Sequence, residues 1–311
     1  MTGPMKFRHV AVLMGGSSSE RDISLLSGRA VAAALREAGC DAAEVVVGTD
    51  DSFELPPGTE AVFPALHGAF GEDGGVQSAL DRLGIPYPGN RAEESRVAFD
   101  KIETRKRFAE AGVPHPRGFA IAPGEEPPAA PPFPFPVVVK PPRQGSSVGV
   151  SIVRGAAEWL PAVAEARKFD PDVLVEEFVP GREWTVPVIG SAEFPEALPI
   201  VEIRPKCEWY DWRAKYSDDA ATAYVFPDDD PSQAALCDRA RAVALLAFKA
   251  TGGRDMGRID LRVTPEGGVY ALENNTIPGC TSHSLLPKAA AKAGISFPEL
   301  CVRIMEGATC G

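Results

Sequence analysis

The sequence predicts a chain of mixed α/β and α+β structure, with a parallel-sheet domain at the N-terminus and smaller sheet-and-helix units after it. Three observations carry this expectation. Near the N-terminus, short apolar runs alternate with helical patterns, which is the signature of a mainly parallel sheet. From Ala122 to Pro136 proline is so dense that only an extended surface connection can form, and the pattern on its far side differs. Finally, 311 residues at 44% hydrophobic can bury more than one core, because single cores stop growing at about 250–300 residues.

The elements follow in order. Val10–Met14 is an apolar strand ending in Gly15-Gly16, and from Ile23 the residues Leu26, Ala30, Ala33 and Leu35 keep helical spacing up to Gly39. Ala61–Leu66 is a second strand. It leads into the polar, glycine-rich stretch His67–Gly75 and a helix through Val76, Leu80 and Leu83. Asp100–Ala111 reads as a helix closed by Gly112 and Pro114. Val137–Lys140, Val150–Val153 and Val173–Glu177 are β-branched strands, with a helix near Ala156–Ala166. Further on, Glu183–Val188 is a strand, and Glu208–Tyr224 is polar and aromatic without period, as suits a closing lid. Ser232–Thr251 is a long helix. Two strands then pair through Pro265-Glu266-Gly267-Gly268, and helices near Leu285–Ala293 and Phe297–Met305 end the chain. The expected domains are residues 1–95, 96–182 and 183–311.

Charge and cysteine usage exclude several classes. The net charge is -11 and no Lys/Arg block occurs, so nucleic acid is not an expected partner. The six cysteines are scattered without metal-ligand spacing and read as reduced thiols. With no signal-peptide pattern and no long apolar run, a cytoplasmic protein without membrane association is expected. An acidic chain that handles an anionic ligand must gather its positive charge in a cleft.

No P-loop and no nucleophile elbow occurs, and Gly15-Gly16 lacks the spacing of a dinucleotide-binding turn. In Val137–Val150 a strand delivers Lys140 to a loop of Gly145, Ser146, Ser147 and Gly149. Such a loop can surround phosphate oxygens with N–H groups and hydroxyls, or it can be an ordinary glycine-rich hairpin. Asp260, Glu273 and Asn275 lie on the two strands of the later hairpin, Glu273 and Asn275 on one face and Arg258 and Asp260 on one face of the other strand. They suit octahedral Mg²⁺ shared with nucleotide phosphates. The alternative is a polar sheet face carrying an Arg–Asp salt bridge.

The blocks GGSSSERDIS (Gly15–Ser24), ALHGAFGEDGGVQ (Ala65–Gln77), VVVKPPRQGSSVGV, AKYSDD (Ala214–Asp219), GRID (Gly257–Asp260) and LENNTIPGCTSHSLLP (Leu272–Pro287) resemble, in the same order, the signature blocks of the D-alanine–D-alanine ligases. The resemblance runs from Val10 to about Met305 and implies a three-domain ATP-grasp architecture with ATP and two Mg²⁺ ions, Mn²⁺ being an acceptable substitute. It assigns Lys101, Lys140 and Ser147 to ATP phosphates, Glu176, Glu177, Val179 and Glu183 to the adenosine, and Asp260, Glu273 and Asn275 to metal. Lys215, on the closing loop, would approach the γ-phosphate. Glu20, Ser146 and Tyr216 would form a triad at the first D-alanine, with His67 lining that pocket. Ser284 and the N–H of Leu285 would take the second D-alanine's carboxylate, and Arg258 with the N–H of Gly279 would form an oxyanion hole.

Gln144, Asn274 and Glu177 depart from the usual pattern, and only Glu177, at a position often basic, bears on ATP affinity. The implied reaction makes an acyl phosphate from the first D-alanine, and the amine of the second then attacks it. A relative joining D-alanine to D-lactate or D-serine would keep the nucleotide residues and differ at the second-substrate pocket. The resemblance permits a homodimer.

Overall fold

The structure is a computed structural model that describes residues 6–204 and 222–311. Three sheets organise the described residues. The first holds β1 (His9–Gly15), β2 (Asp41–Val47) and β3 (Ala61–Pro64), all parallel in the order β2-β1-β3. Central β1 is buried on both faces after His9, which is why it reads as a continuous apolar run. Edge strand β2 alternates buried and exposed positions, and its Asp41 and Glu44 keep it from reading as a strand in the sequence. Helix α1 (Arg21–Glu37) crosses from β1 to β2, and α2 (Gly75–Leu83) follows the glycine-rich stretch.

Helices α3 (Ala92–Phe99) and α4 (Lys101–Ala111) meet at Asp100, whose extended backbone ends one and starts the other. Its side chain accepts from Ile102 N at 2.9 Å and Glu103 N at 3.4 Å, capping α4. Lys101 is thereby fixed at the first helical position. Gly112, in the left-handed conformation, closes α4 as its sequence position suggests.

The second sheet is antiparallel, in the order β4-β7-β5-β6, from β4 (Gly118–Ile121), β5 (Val137–Lys140), β6 (Ser151–Val153) and β7 (Val173–Glu177). Helix α5 (Ala156–Ala166) covers it with Trp159, Ala162, Val163 and Ala166. The stretch Ala122–Pro136 has no regular element. Its Phe133 and Phe135 pack against this core, and Pro128 accepts from Trp159 Nε1 at 2.8 Å.

The third sheet runs β11-β10-β8-β12-β13, with β9 on the side of β8. Its strands are β8 (Arg182–Gly190), β9 (Pro195–Ala197), β10 (Val201–Arg204), β11 (Ala223–Val225), β12 (Asp255–Val263) and β13 (Val269–Asn275). Helix α6 (Ala234–Ala250) packs on it after a 3-10 turn at Pro231–Gln233, so the helix begins two residues later than the sequence suggests. Tyr224, at the end of the expected lid stretch, lies on β11; the rest of that stretch up to residue 221 is outside the described residues.

Helices α7 (Leu285–Lys292) and α8 (Phe297–Glu306) return to the first sheet. One buried cluster joins Val10, Val12 and Met14 of β1 to Met256, Leu286 and Ile304, so the two ends of the chain share a core. No described helix is long and apolar enough to cross a membrane.

Candidate active site

A cavity opens between the second and third sheets. Lys140 ends β5 and Glu176 lies on the neighbouring β7, so both side chains reach the same cleft. Glu176 is buried and ion-paired with Lys140 and, at 2.8 Å, with Arg105. Burial alone would raise its carboxyl, but the two cations hold it below the usual carboxylate range. Lys101 enters from α4, 3.0 Å from Glu273 Oε2 and 2.9 Å from the carbonyl of Gln144. Burial opposes its charge, and the charge and hydrogen bond of Glu273 more than reverse this, so the ammonium is held more firmly protonated than usual.

Above these lysines lies the glycine-rich loop. Ser146 and Ser147 have φ of 50° and 60°, and Val148 N donates to the Gly145 carbonyl at 3.1 Å, which makes a turn of type I′ sign. Two non-glycine residues in the left-handed region cost about 1–3 kcal/mol each, strain of a kind concentrated at functional sites. The surroundings hold the loop there. Arg143 donates to Asp100 Oδ2 at 3.1 Å, to Asp172 Oδ2 at 2.7 Å and to Asp170, while Lys101 N donates to the Pro142 carbonyl at 3.2 Å. At the far end of the cavity are Val179, Glu177 and Glu183. Glu177 is bound by the fork of Arg117 at 2.9 and 3.1 Å, which pulls its carboxyl down.

The hairpin of β12 and β13 forms the cavity floor. Register pairs Asp260 with Glu273 and Arg258 with Asn275, with a slip just after Asp260. Asp260 accepts from Arg258 Nε at 2.9 Å, Thr185 Oγ1 at 2.6 Å and Asn275 Nδ2 at 3.1 Å. The Arg–Asp pair of the alternative reading is therefore present, and so is the cluster of oxygen donors. Among the described residues no three His, Cys, Asp or Glu side chains could hold an ion by themselves. Two carboxylates and an amide beside a cleft that holds Lys101 and Lys140 nevertheless fit Mg²⁺, which keeps few protein ligands and takes the rest from phosphates and water.

A second pocket adjoins the first and shares Gly145, Ser146 and Glu273 with it. Ser146 Oγ donates to Glu20 Oε1 at 2.5 Å, linking the first sheet's loop to the glycine-rich loop. A Cβ at Gly145 would lie 3.0 Å from Glu20 Oε2, so this close approach favours glycine. His67 lines the pocket with Nε2 3.3 Å from Ser27 Oγ. Burial lowers its pKa against the opposing pull of Glu20, leaving the ring neutral near pH 7. Arg258, Gly279, Ser284 and Leu285 complete the wall. Ser284 bonds Thr281 N at 3.0 Å and Thr281 Oγ1 at 2.9 Å rather than capping its own helix, so α7 presents its N-terminus, which favours a carboxylate, at the pocket. Lys215 and Tyr216 lie outside the described residues.

A family model described as "D-ala D-ala ligase C-terminus" matches residues 129–306. The chain is 42% identical over 312 residues to the D-alanine–D-alanine ligase of Methylibium petroleiphilum, covering 98% of this chain and 97% of that protein. It is 45% identical over 307 residues to that of Acidiphilium cryptum, covering 97% of this chain and 99% of the relative. This chain belongs to the D-alanine–D-alanine ligase family. Every described residue that the sequence nominated lines one of the two pockets of this family member. Sequence reasoning missed Glu72 and Arg262. Glu72 takes the Gly68 N–H at 2.7 Å and lies in the second pocket, where burial and then the charge of Glu20 push its carboxyl up to about 8. It sits inside the noted HGAFGEDGG stretch, and Arg262 continues the period-two face of Arg258 and Asp260, so both carried a signal.

Proposed function

We propose that this chain joins two D-alanine molecules into D-alanyl-D-alanine, a peptidoglycan precursor, converting ATP to ADP and phosphate. The observation that carries this reading is the shared wall at Gly145, Ser146 and Glu273, which sets an amino-acid pocket against the phosphate end of a nucleotide cavity. At such a junction a bound carboxylate and a bound γ-phosphate can meet.

Lys101, Lys140 and the Ser146–Ser147 turn hold the phosphates, and Glu20 receives the ammonium of the first D-alanine. The first carboxylate oxygen attacks the γ-phosphorus, the bond to the β-phosphate oxygen breaks, and ADP and an acyl phosphate form. Asp260, Glu273 and Asn275 would hold a pair of Mg²⁺ ions, which neutralise charge on the phosphates when bound. Ser284 and the N-terminus of α7 hold the second D-alanine by its carboxylate. Its neutral amine attacks the acyl carbon, Arg258 and the Gly279 N–H stabilise the tetrahedral oxyanion, and phosphate leaves as the amine loses its proton. A Cβ at Gly279 would come within 2.7 Å of Ser284 Oγ, so the small residue keeps that N–H beside the pocket.

The test is purified protein with ATP, Mg²⁺ and a panel of D- and L-amino acids and D-lactate, with products read by mass. D-alanyl-D-alanine with stoichiometric ADP is expected. D-alanyl-D-lactate as the main product would reassign the second substrate, and no amino-acid-dependent ADP would overturn the reading.

A further inference from the structure

Strand β12 places Arg258, Asp260 and Arg262 at period two on one face, with Ile259 and Leu261 buried between them. At about 3.3 Å per residue, Arg258 and Arg262 are about 13 Å apart along that face. This is enough for the strand to follow a nucleotide from its reacting phosphate to its base. Arg258 lies at the amino-acid end, Asp260 at the phosphates, and Arg262 in the nucleotide cavity at the opposite end.

There Arg262 touches nearly every residue of the link between β7 and β8. Its Nε donates to the Val179 carbonyl at 3.1 Å and its Nη2 to the Gly181 carbonyl at 2.8 Å. Nη1 is 3.6 Å from Glu183 Oε2, and the guanidinium lies 5.9 Å from the centroid of the Phe178 ring. The link has no regular secondary structure of its own, so one planar fork from the metal-site strand sets the positions of its acceptors.

We propose that Arg262 is the positioning residue that sets the purine selectivity of this site. This rests on the nucleotide reading given above. A carbonyl held at the cavity wall accepts from the exocyclic amino group of adenine and repels the exocyclic oxygen of guanine. Arg262 fixes the backbone of this wall by holding the carbonyls of Val179 and Gly181, and so sets where its remaining groups meet a base, and it orients Glu183 for the ribose hydroxyls. A lysine keeps the charge, but its three donors radiate from one nitrogen and cannot match acceptors spread over the three nitrogens of a planar fork.

The experiment is calorimetric titration of ATP and of GTP into the full chain with Mg²⁺ and no amino acid, for the unmodified protein, Arg262→Met and Arg262→Lys, with circular dichroism of each. Both variants should keep the fold. Arg262→Met should bind ATP about tenfold more weakly, the scale of a charge-assisted hydrogen bond, with a smaller loss for GTP, so the ATP preference narrows. Arg262→Lys should recover less than half of that preference. A folded Arg262→Met with unchanged ATP affinity and an unchanged ATP-to-GTP ratio would overturn the proposal. Failure of the unmodified protein to bind either nucleotide would instead overturn the underlying nucleotide reading. Should Arg262→Met not fold, Arg262→Lys alone decides: full retention of the preference sinks the proposal.

Discussion

The cavity proposed for the nucleotide and the pocket proposed for the amino acids touch, yet they are built differently. The cavity is walled largely by paired strands: Lys140 and Glu176 on neighbouring strands of one sheet, Asp260 and Glu273 on neighbouring strands of another. The pocket is walled by the ends of segments far apart in the chain, at Glu20, His67, Ser146 and Gly279, and the Glu20–Ser146 bond spans 126 positions. Lysines and carboxylates of the cavity are paired within a few ångströms, whereas in the pocket burial and then the charge of Glu20 keep Glu72 protonated until unusually high pH. A cleft that gathers lysines beside oxygen donors suits phosphates and a bound cation.

The largest expected effect tests the matched side. Glu273→Gln should lower ligation by about 10³-fold or more, since it removes several kcal/mol of charge stabilisation at the metal site. It also releases Lys101 from its 3.0 Å partner. Turnover measured beside circular dichroism checks this, and near-normal turnover at ordinary Mg²⁺ would remove Glu273 from the metal site. Arg258→Met should come next, with a loss of about 10²–10³ in turnover, the usual effect of one oxyanion donor. ATP affinity, read by calorimetry, should change little. Weaker ATP binding with intact turnover would move Arg258 to the nucleotide side of the comparison.

This division also explains what the sequence made legible. Period-two spacing identified the GRID and LENN faces because paired strands carry their geometry in the local pattern. The Lys140 loop was legible for the same reason, a strand feeding a glycine-rich turn. Asp41–Val47 and Ala92–Phe99 were not read as elements: the first is an edge strand whose apolar run is broken by Asp41 and Glu44, and the second is a short helix running into Asp100 without a glycine or proline stop. The pocket residues carried no local signal of their neighbours, and the resemblance of the blocks to a known family brought them together. Glu72 and Arg262 act through long-range partners, Glu20 and the link between β7 and β8, which no local window contains.

The buried carboxyl of Glu72 predicts a pH effect on stability. Glu72 is raised in the folded protein from 4.5 to about 8, so the folded state binds the proton more tightly than the unfolded one. Stability from this group is full below about pH 4.5 and declines as pH rises through about 8. Melting temperatures of the ligand-free protein should fall across that window, and Glu72→Gln, which carries no titrating proton, should flatten the decline. His67 has the opposite sign: its pKa is lowered, so its contribution is lost as pH falls below 6.5. An equal decline with pH in Glu72→Gln and the unmodified protein would mean that another group titrates.

The smallest expected effect probes how the matched side is held in place. Arg143 lies outside both pockets but ties the phosphate loop to the cap of α4 through Asp100 and to the turn before β7 through Asp170 and Asp172. Its side chain is 37% exposed, so the solvent-screened pairs stabilise the fold by no more than about 1 kcal/mol. Buried Asp170 keeps two backbone donors, Arg143 N and Asp172 N, each at 3.1 Å, when the guanidinium is gone. Arg143→Met should therefore lower the melting temperature only slightly. Its effect on function should be selective. Asp100 sets the position of Lys101, and Arg143 sets the loop above it, so the Michaelis constant for ATP should rise about three- to tenfold, the cost of one misplaced charged contact. The constant for D-alanine should rise less, because His67 and Ser284 are anchored outside the loop and the Ser146–Glu20 bond links the loop to that pocket. Arg143→Lys keeps one ion pair of the three and should fall between. Steady-state rates with ATP and D-alanine varied separately make the measurement. Equal rises in both constants would mean that the loop couples the two pockets as one unit, and an unchanged ATP constant would show that the Ser146–Ser147 turn holds its geometry without the arginine.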